Sequence, residues 1–474
     1  MRSQIVANVA ARAVSRGGSI AANLLMTAIV ARSLPEAGFG NFLFLIMMIG
    51  VFVQVADFGT TTAISKLIND EHLDRPSLWG AFLASRAALA FLAMVVAAAA
   101  LSVFGDAPTS WKLVAVACIP FAASRFFEPI LQRADSPWAI AGLSGGFSAV
   151  LVTTILIVSH FAPFGQAFLG AYLFANALYL IAALWTTGRY VRPSFAAISA
   201  GRKAVWAIAW PVGWGSFFAT INSRASVMIV DTFSSADDVA VFAGGMRILD
   251  LIMAVAVTMI TPMIPSFCAD ATDLPKLRER YAAVLSTACA GSGLFLLTSP
   301  VWSEPLALLL YGPKYGSVSA TIAAFSAVGC AACICLLNSV VLMAVNNVAY
   351  AARLSLWAAV VNIGLCLLLV PKFGYMAGAG VAILVELGMS AWTFVLIRTS
   401  LGGIMPLWRA AKLAGALCAL AAVVAATHLT GDSERHVEWG VTLAAGVVYT
   451  LMVRRLGLLG SSGRTTNESG TRIG

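Results

Sequence analysis

Apolar stretches of about 20 residues follow one another along the whole chain, separated by short polar gaps. Fourteen of them can be placed, with centres near residues 21, 48, 91, 120, 148, 175, 218, 252, 291, 332, 361, 386, 418 and 447. A helix needs about 20 apolar residues to cross a hydrocarbon core of about 30 Å. The pattern therefore predicts an all-α integral membrane protein with about fourteen transmembrane helices.

Lys and Arg are concentrated in every second gap. Of the 30 basic residues, 23 fall in one set of alternate gaps or at the termini and 5 in the other set, while Arg224 and Arg247 fall within or beside a stretch. Cytoplasmic loops of membrane proteins carry an excess of Lys and Arg. The charge pattern thus predicts an inner-membrane protein with an even number of spans and both termini in the cytoplasm.

The composition excludes a soluble globular protein, because 60% of the residues are hydrophobic and 11% are charged, whereas soluble domains contain about 25% charged residues. The net charge of +9 is explained by cytoplasmic loops beside anionic lipid, so no nucleic-acid partner is predicted. The eight cysteines lie mostly within spans and the four histidines are scattered, so we predict neither a metal nor a cofactor. No phosphate-binding loop motif for nucleotide hydrolysis occurs.

Two pairs of matching segments indicate an internal duplication. ARSLPEAGFGNF from Ala31 corresponds to DTFSSADDVAVF from Asp231, and FAPFGQAFLGAY from Phe161 corresponds to VPKFGYMAGAGV from Val370. Each unit contains six spans, an even number, so the two units form parallel repeats about an axis along the membrane normal. We predict a first six-helix lobe over 1–200, a second over 201–400, two additional transmembrane helices over 401–457 and a disordered cytoplasmic tail over 458–474.

Polar residues of the first predicted span lie on one helical face, because they are spaced by 4, 3, 4 and 4 residues. They are Arg12, Arg16, Ser19, Asn23 and Thr27. Arginine offers paired planar donors that suit phosphate oxygens, so Arg12, Arg16 and Asn23 are candidates for binding an anionic substrate. The alternative for the two arginines is that they extend to lipid headgroups and only set the topology.

Further candidates are ionisable residues deep in later spans, where a charge costs about 2.5 to 3.5 kcal/mol even on the lowest scale. Arg224 lies in the middle of the seventh span and either lines a cavity or pairs with a neighbouring helix. Arg247 and Asp250 are three residues apart and are spaced to pair with each other, which is the interpretation we favour. Glu386 either carries a coupling proton or cation, or neutralises Arg224.

Several segments resemble the bacterial polysaccharide transporter family, which contains flippases of lipid-linked oligosaccharides within the multidrug, oligosaccharidyl-lipid and polysaccharide exporter superfamily. They are LPEAGFG after span one, ADFGTTTAISKLI after span two, LLLYGPKYG between spans nine and ten, and VNIGLCLLLVPKFGYMAGAGVAILVE from Val361. The resemblance extends over nearly the whole chain and implies two six-helix lobes of the MATE type plus two C-terminal helices.

The resemblance also implies a function. A cavity between the lobes would accept the pyrophosphate and sugars of an undecaprenyl-linked repeat unit and release them on the other side by alternating access, while the lipid tail stays in the bilayer. The product would serve O-antigen, capsule or exopolysaccharide biosynthesis. A polysaccharide polymerase and a chain-length regulator are the implied protein partners, and the expected oligomeric state is a monomer.

Two other functions remain as alternatives. An ion-coupled multidrug or small-molecule antiporter of the same superfamily would favour acidic residues in the first lobe, whereas span one carries Arg12 and Arg16 and no acid. A membrane-embedded polysaccharide polymerase or ligase generally needs a large extracytoplasmic loop, whereas the longest outward loops here have about a dozen residues. We therefore predict a transporter without catalytic residues.

Overall fold

The computed structural model describes residues 2–67, 74–127, 131, 137–190, 193–194, 198–260, 263–345, 348–401, 442, 445–451 and 453. A few side chains inside these ranges, including those of residues 2–16, are not described. The α-helices of these ranges are α1 (Arg2–Ser33), α2 (Glu36–Asp57), α3 (Thr60–Leu67), α4 (Arg75–Val103), α5 (Thr109–Ala122), α6 (Pro137–Phe161), α7 (Gly165–Thr187), α8 (Ile198–Phe233), α9 (Ala236–Ile260), α10 (Ile264–Ala269), α11 (Leu274–Tyr311), α12 (Val318–Ala344), α13 (Val348–Phe373) and α14 (Tyr375–Leu401).

The helices confirm the predicted fold class. Each of the first twelve predicted centres falls within a helix, and ten of the described helices are long and apolar enough to cross a membrane. Helix α5 is shorter, contains Pro120 and continues as a 3₁₀ helix over Ala123–Phe127. The thirteenth centre, residue 418, lies outside the described residues, and residues 445–451 at the fourteenth are helical. The chain is a multi-pass membrane protein.

The two six-helix lobes share much of their helix packing. Adding seven to the helix number converts five packed pairs of the first lobe into packed pairs of the second: α1–α6 matches α8–α13, α2–α5 matches α9–α12, α4–α5 matches α11–α12, α5–α7 matches α12–α14, and α6–α7 matches α13–α14. The turn between Ser33 and Glu36 recurs between Phe233 and Ala236. This correspondence is the one expected of a parallel duplication, while the residue limits of the two lobes stay a prediction.

The lobes meet closely where α2 and α9 begin, at the face predicted to be extracytoplasmic. A Cβ atom on Gly40 would lie 2.0 Å from the backbone oxygen of Ala236, so only glycine permits this approach. The Phe39 ring packs against Tyr311 and Tyr315, with ring centroids 5.9 and 5.2 Å apart. Backbone contact and an aromatic cluster therefore close this end of the seam between the lobes.

The first lobe contains a buried ion pair at the opposite end of α2. Arg86 of α4 pairs with Asp57, the last residue of α2, and its Nη2 donates a hydrogen bond of 2.6 Å to the backbone oxygen of Ala123. The charge count includes Arg86 among the 23 basic residues of the cytoplasmic gaps and termini, whereas the structure places it inside α4 with a side chain only 6% exposed. A hydrogen-bonded carboxylate partner explains how the guanidinium is kept inside the lobe.

Candidate functional site

Three charged side chains form a cluster between α8 and α9. Arg224 Nη2 lies 2.5 Å from Asp250 Oδ1, and Arg247 Nη1 lies 3.5 Å from Asp250 Oδ2. Asp250 is 34% exposed, Arg224 23% and Arg247 14%, so the cluster is partly open rather than sealed. We call Arg224, Arg247 and Asp250 the charged cluster. It brings together three of the residues predicted from the sequence.

The charged cluster has more donors than acceptors. Arg224 Nη1 and Arg247 Nε and Nη2 are buried, and none has a hydrogen-bond partner among the described residues. Leaving one buried donor unsatisfied costs about 1 to 3 kcal/mol. Two guanidinium groups and one carboxylate also leave one positive charge uncompensated. The arrangement can therefore accept an anion that carries several oxygen acceptors.

A cavity of about 470 Å³ lies between α1 of the first lobe and α9 of the second. Its polar lining consists of Ser19 and Asn23 from α1 and Arg247 and Asp250 from α9. We call it the interlobe cavity. Two of the three residues of the charged cluster therefore face a space whose walls belong to different lobes, so a relative movement of the lobes changes this space.

A second cavity of about 420 Å³ lies inside the second lobe, among α8, α9, α12, α13 and α14. We call it the second-lobe pocket. Arg224 and Asp250 line it together with Glu386. Because Asp250 lines both cavities, the charged cluster lies between the second-lobe pocket and the interlobe cavity.

Glu386 is held by an amide network instead of by an arginine. Asn222 Nδ2 donates to Glu386 Oε1 at 3.3 Å, and Asn362 Nδ2 donates to the backbone oxygen of Asn222 at 2.6 Å. Within the described part of the chain no cation lies within ion-pair distance of Glu386. Of the two interpretations left open by the sequence, the structure therefore does not show Glu386 neutralising Arg224, which pairs with Asp250.

The remaining sequence candidates are placed as follows. Asn23 lines the interlobe cavity, although its amide nitrogen donates to the backbone oxygen of Ser19 at 2.8 Å. Arg12 and Arg16 fall in helix α1, and their side chains lie outside the described residues. The role of Asp250 as a carboxylate shared by two arginines was missed. A signal existed, because a two-residue connection between α8 and α9 makes these helices neighbours.

Comparisons with known proteins agree with this architecture. The family model described as polysaccharide biosynthesis protein matches residues 5–269. A search of proteins with curated function finds no significant match. The solved structure of the lipid II flippase MurJ in an inward closed conformation is 12% identical, with a TM-score of 0.74 over 95% of this chain and 99% of that one.

Two other solved structures are of transporters, one of the MATE type and one of the MOP superfamily. A mutant of the MATE transporter VcmN of Vibrio cholerae is 16% identical, with a TM-score of 0.59 over 84% of this chain and 96% of that one. A MOP superfamily transporter of Pyrococcus furiosus is 16% identical, with a TM-score of 0.61 over 84% of this chain and 95% of that one. At these identities the structures show a shared fold. The family model covers more than half of the sequence, so the chain belongs to the polysaccharide biosynthesis protein family.

Proposed function

We propose that this protein is a flippase that moves undecaprenyl-pyrophosphate-linked oligosaccharide units across the bacterial inner membrane by alternating access, for the synthesis of a surface polysaccharide. The charged cluster is the observation that carries the proposal. It offers three buried donors that have no hydrogen-bond partner in the described part of the chain, and two of its residues line the interlobe cavity. Membership of the polysaccharide biosynthesis protein family supports a substrate drawn from the intermediates of that pathway.

The chemistry of the cluster suits a pyrophosphate. The two arginines can donate charge-assisted hydrogen bonds to phosphate oxygens, and arginine does this in a planar, paired geometry that lysine lacks. The sugars attached to the pyrophosphate would contact the polar face of α1, which includes Ser19 and Asn23. By their spacing in the sequence, Arg12 and Arg16 would continue that face toward the predicted cytoplasmic side. The isoprenoid tail would remain in the bilayer beside the interlobe cavity.

Glu386 is our candidate for ion coupling. The sequence lacks a nucleotide-binding loop, so an ion gradient or removal of the product must drive transport. Glu386 lines the second-lobe pocket without an ion-pair partner among the described residues. A proton or cation bound there would change the charge near Asp250, which lines the same pocket. The carboxylate is therefore positioned to influence the charged cluster from the side opposite the interlobe cavity.

The other functions fit less well. A cation antiporter could use the carboxylates of the second-lobe pocket, but Asp250 is already paired with two arginines. A polymerase or ligase would need a substantial outward domain. In the described part of the chain, the connections at the predicted outer face are short, with two residues between α1 and α2 and two between α8 and α9. We propose that a polymerase and a chain-length regulator act as separate partners.

The test is a deletion of the gene in its host, followed by measurement of the leaflet in which the undecaprenyl-linked oligosaccharide accumulates. Complementation would use the wild type, Arg224→Ala, and Arg202→Ala as a matched control. Arg202 lies on the same helix, is exposed and lines neither cavity described above. Expression and membrane insertion of each variant would be checked by detergent-soluble monomer yield.

Accumulation in the cytoplasmic leaflet, rescued by the wild type and Arg202→Ala but not by Arg224→Ala, is the expected result. It would follow from the loss of one of the two guanidinium groups of the cluster. Normal outward exposure of the lipid-linked oligosaccharide in the deletion strain, with no second flippase gene present, would contradict the proposal and favour small-molecule efflux. Rescue by Arg224→Ala would leave flipping in place but remove the cluster from the mechanism.

A further inference from the structure

An apolar groove of about 570 Å³ runs between α13 and α14 on the outer surface of the second lobe. We call it the α13–α14 groove. Its walls are formed almost entirely by hydrophobic side chains, and the charged side chain in its lining is Arg353. The groove shares only Met389 with the second-lobe pocket. It is therefore a separate feature that the proposed transport mechanism does not use.

The rim of the groove is built to face lipid. Trp357, Leu384 and Trp392 are 66%, 62% and 60% exposed, which is stable for large apolar side chains only in contact with hydrocarbon or another apolar molecule. The floor is closed by Ala358 and Val385, which are 5% and 7% exposed. A channel therefore runs between the two helices, with the buried floor residues at its base and the large apolar side chains along its rim.

The polar end of the groove lies near the membrane surface. Arg353 is close to the start of α13 and is exposed, and Trp357 follows one helical turn later. Trp392 lies nine residues before the end of α14 at Leu401. Tryptophan is enriched at the level of the lipid headgroups. By the positive-inside pattern of the sequence, this end faces the cytoplasm.

The charge at this end is suited to an anionic headgroup. Arg398 of α14 is also exposed near the same end. Basic residues between transmembrane helices on the cytoplasmic side attract anionic lipids. The positive charge at this end therefore favours a phospholipid whose headgroup carries a net negative charge.

The length of the groove distinguishes between a phospholipid and the isoprenoid tail of the proposed substrate. Its lining on α13 extends over thirteen residues, from Arg353 to Leu365, which corresponds to about 18 Å of helix between the first and the last. One leaflet of the hydrocarbon core is about 15 Å thick. A single acyl chain anchored at the headgroup level fills that length, whereas an undecaprenyl chain is far longer.

We propose that the α13–α14 groove is a binding site for one anionic phospholipid of the cytoplasmic leaflet. Its phosphate binds Arg353, the glycerol region lies between Trp357 and Trp392, and one acyl chain lies along the channel toward Leu365. The lipid fills a gap between two helices whose inner faces carry Asn362 and Glu386. Its occupancy therefore stabilises the second lobe independently of transport.

The experiment measures thermal unfolding of the full chain in phosphatidylcholine nanodiscs that contain increasing fractions of phosphatidylglycerol. Arg353→Gln removes the charge at the headgroup end. Gly388→Leu fills the groove, and its new Cβ meets no atom of the protein within 4 Å. The matched controls are Arg202→Gln and Gly364→Leu, because the exposed Arg202 and Gly364 do not line the groove and a Cβ on Gly364 also meets open space. A photoactivatable phosphatidylglycerol identifies the labelled helices.

The melting temperature of the wild type and of both controls is expected to rise with phosphatidylglycerol. The apparent affinity should fall about 5-fold in Arg353→Gln, as for the loss of one basic residue near a lipid surface, and the rise should vanish in Gly388→Leu. Photolabel should map to α13 and α14. An equal response in all five proteins, label elsewhere, or stabilisation by undecaprenyl phosphate but not by phosphatidylglycerol would overturn the proposal. Formation of a dimer that buries the groove would also overturn it.

Discussion

Replacing Asp250 by asparagine is expected to strengthen the binding of an anionic headgroup and to slow transport. Among the residues that the structure describes, Asp250 is the one carboxylate in contact with both Arg224 and Arg247. Asparagine keeps the size of the side chain and a carbonyl acceptor but removes the charge. The cluster then changes from one net positive charge to two. A bound pyrophosphate loses a repulsive neighbour and gains access to the Arg224 nitrogen that Asp250 now occupies.

The magnitude follows from the geometry. An anion bound to the unpartnered nitrogens of the two arginines lies roughly 6 Å from the Asp250 carboxylate, and like charges at that separation repel by about 3 kcal/mol at an effective dielectric constant of about 20. Asp250 is 34% exposed, so screening by water reduces this value to roughly half. About 1.4 kcal/mol corresponds to about tenfold in affinity. Arg224→Ala should change affinity in the opposite direction, by about tenfold or more, since it removes charge-assisted donors.

The assay is equilibrium binding of undecaprenyl pyrophosphate to the protein in nanodiscs, combined with transport by the same preparations in liposomes. Asp250→Asn should bind about tenfold more tightly and flip more slowly, because release becomes limiting. Asp250→Asn together with Arg224→Ala should return close to wild-type affinity. Weaker or unchanged binding by Asp250→Asn would refute the reasoning, because it would mean that Asp250 positions the arginines for the substrate instead of competing with it.

Three further outcomes are expected. Gly40→Val should weaken closure between the lobes, because its Cβ would lie 2.0 Å from the Ala236 oxygen, and labelling of engineered cysteines at the outer face should increase severalfold. Asp57→Ala should lower the free energy of unfolding by about 3 kcal/mol, because Arg86 is only 6% exposed and would lose its carboxylate partner; thermal unfolding in nanodiscs measures this. Glu386→Gln should remove the response of flipping to an imposed ion gradient while binding of undecaprenyl pyrophosphate is preserved, as measured in liposomes.

Controls for these variants are available within the chain. Gly38→Val lies on the same helix, and a Cβ there meets only Pro35 and Leu34 at 3.4 Å or more, so it should leave labelling unchanged. Asp74→Ala removes a helix N-cap that accepts from the Ser77 amide and should cost about 1 kcal/mol. Equal effects of the two aspartate variants would contradict the ion-pair argument. A gradient response that survives in Glu386→Gln would exclude this residue from coupling.

The fold was largely predictable because a lipid solvent leaves few alternatives. Every span must satisfy its backbone hydrogen bonds internally, so apolar length alone located twelve helices, and the matching turns after Ala31 and Asp231 indicated the duplication. Arg86 lies inside α4 and not in a loop, whereas charge counting assigns a basic residue near a span end to the adjacent loop. Its partner Asp57 lies 29 residues away, and sequence spacing contains no information about that contact.

The site was predictable in composition but not in pairing. A charge inside a span is rare enough to mark Arg224, Arg247, Asp250 and Glu386 as candidates. Local spacing assigned Asp250 to Arg247, whereas its shorter contact is with Arg224 on another helix. Which carboxylate an arginine meets depends on helix rotation, and rotation is set by packing of the whole lobe.

The repeated packing of the two lobes does not extend to their charges. At the 200-residue offset of the matching turns, Arg224, Arg247 and Asp250 correspond to Leu24, Met47 and Gly50 in the first lobe. The duplication therefore provides no redundancy, because the first lobe has no equivalent cluster that could replace the one in the second lobe. Loss-of-function substitutions that spare folding should accordingly be distributed unevenly, with many more in the second lobe than in a first lobe of nearly identical architecture.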